Sequence, residues 1–361
     1  MYLKELSLEN FRNIESEHLE FSDGVNIFYG DNAQGKTNII ESIWLFSAMK
    51  SFRGAKDTDF IKQGSLFTDI KCVFEKSDRE VKGEIKIADG RRKEIIKDGV
   101  KVRSAEMVGQ INTVLFYPEH LSLIKSGPEI RRKFLDTAIC QIKPGFFRIL
   151  NEYSKVLAQR NFLLKSQRKD MLETLDSWDM KLAKLGGIIT NTRKTYLEKL
   201  LVFAEKTVDE ISSGKEKMTA EYQSYSGKKI KSAEEEEKAL YNKLKESFSE
   251  DERLLCTTEG CQRDDFTLFI NGNTAKIYGS QGQQRSLVMA LKLAEADICY
   301  EYNDEYPVML FDDVFSELDS LRKAYITESI KNRQVIVTTC EKTEFFENAK
   351  YFRVSQGKVY L

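Results

Sequence analysis

The sequence predicts an α/β fold split by a long helical insertion, and three observations carry that prediction. A glycine-rich loop, Gly30-Asp31-Asn32-Ala33-Gln34-Gly35-Lys36-Thr37, follows an apolar strand and opens a helix near the start of the chain. An apolar run, Val308-Met309-Leu310-Phe311, closes on Asp312-Asp313 near its end. Between them lie long stretches whose apolar residues repeat at helical spacing. If loop and carboxylates serve one ligand, the two ends of the chain meet around the insertion.

The elements follow in order. Tyr2, Lys4, Leu6 and Leu8 lie in an alternating strand that turns at Glu9 to Asn13, and a second strand, Val25 to Tyr29, runs straight into the loop. After Thr37, the residues Ile39, Ile40, Ile43, Trp44 and Phe46 recur at helical spacing. Short strand-like runs at 69–74, 81–87 and 92–96, punctuated by Gly83, Gly90 and Gly99, predict a β-meander. Val114-Leu115-Phe116 reads as one more strand. From Pro144 to Gln167 and from Leu172 to Ile211 the apolar spacing predicts two amphipathic helices, the first with proline near N1 and the second weakened at Gly186-Gly187. Ser224 to Ser232 reads as a loop, and the Glu234 to Glu237 run as the face of a solvated helix. The expected organisation is therefore residues 1–125 plus 252–361 as the α/β domain, mixed sheet plus β-meander, and 126–251 as an inserted helical lobe with a short antiparallel hairpin.

Composition bounds the possibilities. At 361 residues, 31% charged and 41% hydrophobic, the chain reads as a soluble globular protein large enough for two lobes. No apolar run reaches the roughly 18 residues of a membrane span, and Met1-Tyr2-Leu3-Lys4-Glu5 does not open like a secretory signal, so the expectation is cytoplasmic. The six cysteines lack paired metal-knuckle spacing, and Cys256 and Cys261 are expected as buried, reduced thiols. A net charge of −1 gives no global basic excess, so any nucleic-acid surface has to be a local patch.

The loop and the carboxylates carry chemistry. Gly30 and Gly35 let the backbone wrap phosphates, with amides and a helix N-terminus directed at the anion. Lys36 can reach β and γ phosphates, and the Thr37 hydroxyl can sit on Mg²⁺. Asp312 is placed as a second Mg²⁺ holder, and Asp313 to orient or deprotonate an attacking water; alone, two acids after a strand also make a capping turn. Ser280-Gln281-Gly282-Gln283-Gln284 opens another helix. It reads either as an ordinary N-cap or as a second anion-gripping terminus, acting on the nucleotide of a partner subunit.

Together these segments resemble the ABC-type P-loop ATPase head of the SMC superfamily. With Leu8 to Asn13, Phe116 to Glu119, Arg131 to Asp136, Gln159 to Asn161 and Thr257 to Phe266, the chain resembles the RecF family of bacterial DNA replication and repair proteins. That resemblance implies Arg12 as a nucleotide-contacting arginine and Gly30, Asn32, Gly35, Lys36, Thr37 and Asn38 as the ATP-binding Walker A loop. It further implies Ser280, Gly282 and Gln283 as a signature motif acting in trans, Asp312 and Asp313 as Walker B and its catalytic acid, and Ser316 to Asp319 as the D-loop. Lys36, Asp312 and Asp313 are the catalytic candidates, with Mg²⁺ held by Thr37 and Asp312. The implied activity is an ATP-dependent homodimer that clamps duplex, gapped or junction DNA, hydrolyses ATP weakly, and with RecR assists loading of the recombinase RecA.

Departures limit the transfer. Asp313 is one methylene shorter than the Glu of transporter ATPases, which predicts slow hydrolysis. Thr338-Thr339 stand where a switch histidine is expected, no Q-loop glutamine is evident near Tyr117-Pro118-Glu119, and Gln262 replaces a family histidine. Candidate DNA contacts are Arg53, Arg131, Arg132, Lys133 and Lys155, with Lys228, Lys229 and Lys231 as a looser group. The alternative within the same fold is a transport ATPase subunit or another SMC-like ATPase. A GTPase would carry an Asn-Lys-x-Asp base-reading motif, a nuclease would need a further acidic domain, and the helices are too short for an SMC arm.

Overall fold

The computed structural model describes residues 1–77, 79–166, 171–227, 232–342, 346 and 348–361. Strands β1 (Tyr2–Phe11), β2 (Ile14–Glu20) and β3 (Val25–Tyr29) lead into helix α1 (Lys36–Ala48). Strands β4 (Phe67–Lys76), β5 (Arg79–Ala88), β6 (Glu94–Lys97) and β7 (Val100–Val102) precede the single turn α2 (Ser104–Met107) and β8 (Thr113–Phe116). Helices α3 (Pro128–Ile142), α4 (Pro144–Ser166) and α5 (Met171–Ser212) come next, then β9 (Met218–Gln223), α6 (Ala233–Glu246) and α7 (Phe248–Leu254). The chain finishes with β10 (Asp265–Ile270), β11 (Asn273–Thr274), α8 (Ala275–Tyr278), α9 (Gln281–Asn303), β12 (Val308–Asp312), α10 (Ser320–Ser329), β13 (Val335–Thr339), β14 (Lys350–Ser355) and β15 (Lys358–Tyr360).

Two six-stranded sheets enclose α1. One is an antiparallel meander in the order β2-β1-β4-β5-β6-β7; the other runs β15-β14-β3-β13-β12-β8, parallel except for the edge strand β15. Strands buried on both faces need continuous apolar runs, which Val308 to Phe311 and Val335 to Val337 supply. Ile39, Ile40 and Ile43 of α1 are fully buried, each contributing roughly 1.5–3 kcal/mol. In β1 the register shifts between Leu3 and Glu5, so Leu3, Leu6 and Leu8 all point inward despite breaking strict alternation.

Some readings change. Gly83 is not a turn: it lies within β5, where a Cβ would sit 2.8 Å from the Phe46 ring and 2.9 Å from Cys72 Sγ. Gly187 does not weaken α5 so much as admit α6, since a Cβ there would meet the Glu237 nitrogen at 2.6 Å and the Ala233 carbonyl oxygen at 2.7 Å. The stretch 126–251 also contains a strand, β9, paired antiparallel with β10. Of the acidic run, Glu236 is buried and ion-paired with Lys194. Cys256 is only half-buried, whereas Cys261 is buried.

Candidate functional site

The phosphate loop sits at the C-terminal edge of the parallel sheet, between β3 and α1. Its backbone needs left-handed conformations at Gly30 (φ 147°), Ala33 (φ 64°) and Gly35 (φ 117°). Glycine is required twice over at position 35, because a Cβ would press on Asn13 Oδ1 at 2.8 Å. Asn13 is a clamp that the motifs alone do not reveal: its amide donates to the Gln34 carbonyl (3.0 Å) and its oxygen accepts from Asn38 (2.8 Å). The β14–β15 turn closes the other side, where the Gly357 amide donates to Gln34 O (2.9 Å) and the Gln356 amide to Gln34 Oε1 (2.6 Å). The buried Lys36 ammonium curls over the loop and donates to the carbonyls of Gly30 and Asp31, the latter at 2.8 Å.

Parallel pairing brings the carboxylates to the same edge. Thr338 of β13 is in register with Asp312 on one side and Phe28 on the other. Asp312 Oδ1 accepts from Thr37 Oγ1 at 2.9 Å and from Thr338 Oγ1 at 2.7 Å. Burial raises the Asp312 pKa, opposed by those two hydroxyls. A buried carboxylate beside a threonine hydroxyl is an all-oxygen donor set, which suits Mg²⁺. Asp313 occupies left-handed backbone space (φ 50°), fixed by its amide donating to the Thr338 carbonyl (3.2 Å) and hydroxyl (3.0 Å). Thr338 thus positions both acids; only its place after a strand could have marked it. Cys340 Sγ donates to Asn32 Oδ1 (3.0 Å) and lies 4.0 Å from Asp313 Oδ1, joining the loop tip to the catalytic-acid candidate.

Arg12 is held by the α1 carboxylate Glu41 (2.9 and 3.1 Å) and the Asp59 carbonyl (2.9 Å), with its guanidinium 4.9 Å from the Phe60 ring centroid. Ser51 donates to the other Glu41 oxygen. Two residues on, Arg53 reaches Asn38 Oδ1 at 3.5 Å, which puts it at the margin of the loop.

The second helix terminus has separate supports. Ser280 caps α9 by accepting from the Gln283 amide (3.2 Å), and Gln283 Oε1 accepts from the Ser280 amide (2.8 Å), a reciprocal capping box. Gln283 Nε2 donates to Glu216 (2.9 Å), and a Cβ on Gly282 would meet Arg322 at 3.2 Å. The segment Ser316 to Asp319 packs alongside: Glu317 pairs with Arg285 (2.8 Å), and Asp319 caps α10 through the Arg322 amide (3.0 Å). Large apolar side chains flank this terminus in the open, with Ile277 72%, Tyr278 70% and Leu321 58% exposed.

Among the DNA candidates, Arg131 is corrected. It is buried, with its guanidinium on both Asp265 oxygens (2.6 and 2.8 Å) and the carbonyls of Leu123 (3.0 Å) and Ser126 (2.6 Å). That geometry braces α3 and engages four of the five guanidinium N–H donors inside the protein. Arg132 donates to the Asp264 carbonyl (2.7 Å), whereas Lys133 and Lys155 are exposed. Lys228, Lys229 and Lys231 lie outside the described residues. Gln262 accepts from the buried Tyr153 hydroxyl and donates to the Glu259 carbonyl (2.9 Å), a structural brace.

Fold and site define an ABC-type ATPase head of the SMC kind. The family model "RecF/RecN/SMC N terminal domain" matches residues 2–359, and the chain belongs to that family, as a RecF-type member. A "DNA replication and repair protein RecF" of Thermoanaerobacter pseudethanolicus is 39% identical over 364 residues, 99% of each chain. Its counterpart in Acetivibrio thermocellus is 37% identical over 369 residues, 100% of each. A solved structure of "the recombination mediator protein RecF-ATP in RecFOR pathway" superposes with a TM-score of 0.93 at 38% identity, covering 99% of this chain and 97% of that one. An Smc head bound to the C-winged helix domain of ScpA shares the fold at 16% identity, 99% and 96% coverage and a TM-score of 0.58. Among the described residues, no helix is long and apolar enough to cross a membrane.

Proposed function

We propose that this chain is an ATP-dependent DNA-binding switch of replication and recombinational repair. ATP bound by the 30–37 loop of one copy is closed by Ser280 to Gln283 of a second, and the resulting homodimer clamps duplex or gapped DNA. The observation that carries the reading is the exposed α9 terminus, ringed by Ile277, Tyr278 and Leu321 and held by residues other than those holding the phosphate loop. Such a surface fits a partner that arrives only when ligand bridges it. The RecF-ATP relative favours ATP as that ligand.

The chain's own groups supply the chemistry. Lys36 is placed to leave the Gly30 and Asp31 carbonyls for phosphate oxygens, and the loop amides receive the rest of the charge. Mg²⁺, held by Thr37 and Asp312, would neutralise charge on the transferring phosphate. Asp313 orients the water, with the Thr338 contacts fixing its backbone. A short Asp in that role, with no histidine beside it, makes hydrolysis slow, so the nucleotide acts as a timer more than as fuel. By family kinship, RecR is the partner through which recombinase loading is assisted.

Sedimentation velocity with ATP, ADP or no nucleotide, each with and without a gapped duplex, tests this. A dimer that forms with ATP and is retained on the duplex supports it; a monomer under every condition rejects it.

A further inference from the structure

A cavity of about 550 Å³ opens between the C-terminal end of α1, α3 and α4, some distance from the phosphate loop. From Thr37 to Lys50 is thirteen residues, about 20 Å along a helix. Lys50, Arg132 and Lys133 line this cavity. Among the described residues Lys50 and Lys133 have no hydrogen-bond or ion-pair partner, and Arg132 gives one N–H to the Asp264 carbonyl. The acids do not balance them: Asp136 is committed to Arg193 at 2.7 and 2.8 Å, which leaves Glu129 alone. Partial enclosure by the recess, and next the Lys50 charge, lower the Lys133 pKa, so a bound anion would relieve a repulsion already present.

The cavity does not end there. Asn151 lines both it and a groove of about 460 Å³ along α4, whose walls carry Arg148, Lys155 and the half-buried ring of Trp178. Arg148 and Lys155 also lack a partner among the described residues. They stand seven residues apart, about 10 Å along the helix.

We infer that recess and groove form a path for one nucleic-acid strand, its phosphates on Lys50, Lys133, Arg148 and Lys155 and a base against Trp178. Cations tracking a backbone beside an aromatic face are the ingredients of single-strand grooves, and stacking there tolerates any base. A duplex, stiff and with its bases turned inward, could lie on a flat basic stripe but not enter a recess. The path also ends on the segment that touches the nucleotide site, because Ser51 donates to Glu41 and Arg53 reaches Asn38. This inference deepens the DNA-binding reading and rests on it.

The test uses the full chain with ATP, a short fluorescent oligothymidylate and a blunt duplex of equal length. K50Q/K133Q should weaken oligothymidylate binding about 10-fold or more. It should also flatten the slope of log affinity against log salt by about 1.4, at about 0.7 per single-strand phosphate. Blunt-duplex affinity should fall far less than the single-strand affinity, K50R/K133R should restore the single-strand affinity, and melting temperature should follow wild type. Oligothymidylate should quench tryptophan fluorescence in wild type but not in Trp178→Phe, because Trp44 is buried. An unchanged single-strand affinity and slope in K50Q/K133Q overturns the path while leaving DNA binding intact, as does an equal loss for the duplex. A wild-type chain that binds neither DNA with ATP overturns the functional reading and the path together.

Discussion

Thr37 and Asp312 lie 275 positions apart in sequence, and their side chains meet at 2.9 Å. That contact joins the start of α1 to the end of β12, and it places a hydroxyl and a carboxylate where one Mg²⁺ would need both. Asp312→Asn keeps the shape and removes the charge. The Mg²⁺ concentration for half-maximal ATP hydrolysis should rise about 10–100-fold, while a fluorescent ATP analogue without Mg²⁺ binds as to wild type.

Asp313 and Asp312 should separate in experiment. Asp313→Asn should lower turnover about 100-fold or more without raising the Mg²⁺ requirement, and its ATP-bound dimer should persist longer than that of wild type. Steady-state hydrolysis alongside a dimer-lifetime measurement distinguishes the two aspartates.

Arg131 predicts a stability effect without a DNA effect. Truncating one partner of a buried ion pair costs about 3–5 kcal/mol, and Arg131→Ala strands Asp265 and two carbonyls. Urea unfolding should show a loss near the lower end of that range, because Asp265 is partly exposed. Below the melting transition the salt slope of DNA binding should match wild type.

Gly187→Ala should cost about 1–3 kcal/mol by overpacking, because the new methyl meets α6 backbone that cannot swing aside. Gly145→Ala, at the open start of α4 where nothing lies within 4 Å, should be neutral or slightly stabilising. Equal unfolding midpoints for the two variants would contradict the close α5–α6 approach.

Asp264 carries a pH signature. Burial raises its pKa to about 6 from 3.8, against the hydroxyls of Thr190 and Tyr222 and the charge of Arg193. The folded state therefore holds this proton more tightly than the unfolded chain. The stabilisation is complete below about pH 4 and lost as pH rises through about 6, on the order of 3 kcal/mol in all. The stability of wild type minus that of Asp264→Asn should shrink across that window; a constant difference would show that the carboxyl does not titrate there.

The site was legible where chemistry is local. Gly30 to Thr37 and Asp312-Asp313 announce themselves because phosphate wrapping fixes residue types at fixed spacing, and α5 because 3.6-residue periodicity runs from Leu172 to Ile211. What escaped depends on distant partners. Gly83 and Gly187 look like breaks until Phe46 and α6 are seen against them, and Arg131 looks like a free cation until Asp265, 134 positions on, takes it up. The β9 strand alternates Met218, Ala220 and Tyr222, but only β10 reveals it as half of a ladder. Asn13 and Thr338 lie outside the loop and the carboxylate pair, and their roles depend on side-chain directions that no spacing rule encodes.

The central claim is a nucleotide site completed by a second copy, and complementation measures it most directly. Lys36→Ala keeps an intact α9 terminus beside a damaged loop, and Ser280→Arg the reverse, so neither alone can build the site. Mixed with ATP and labelled for energy transfer, they should form heterodimers that sediment as dimers, while each alone stays monomeric and Ser280→Arg still binds ATP. Ser280→Arg dimerising alone with ATP as wild type does would contradict the account.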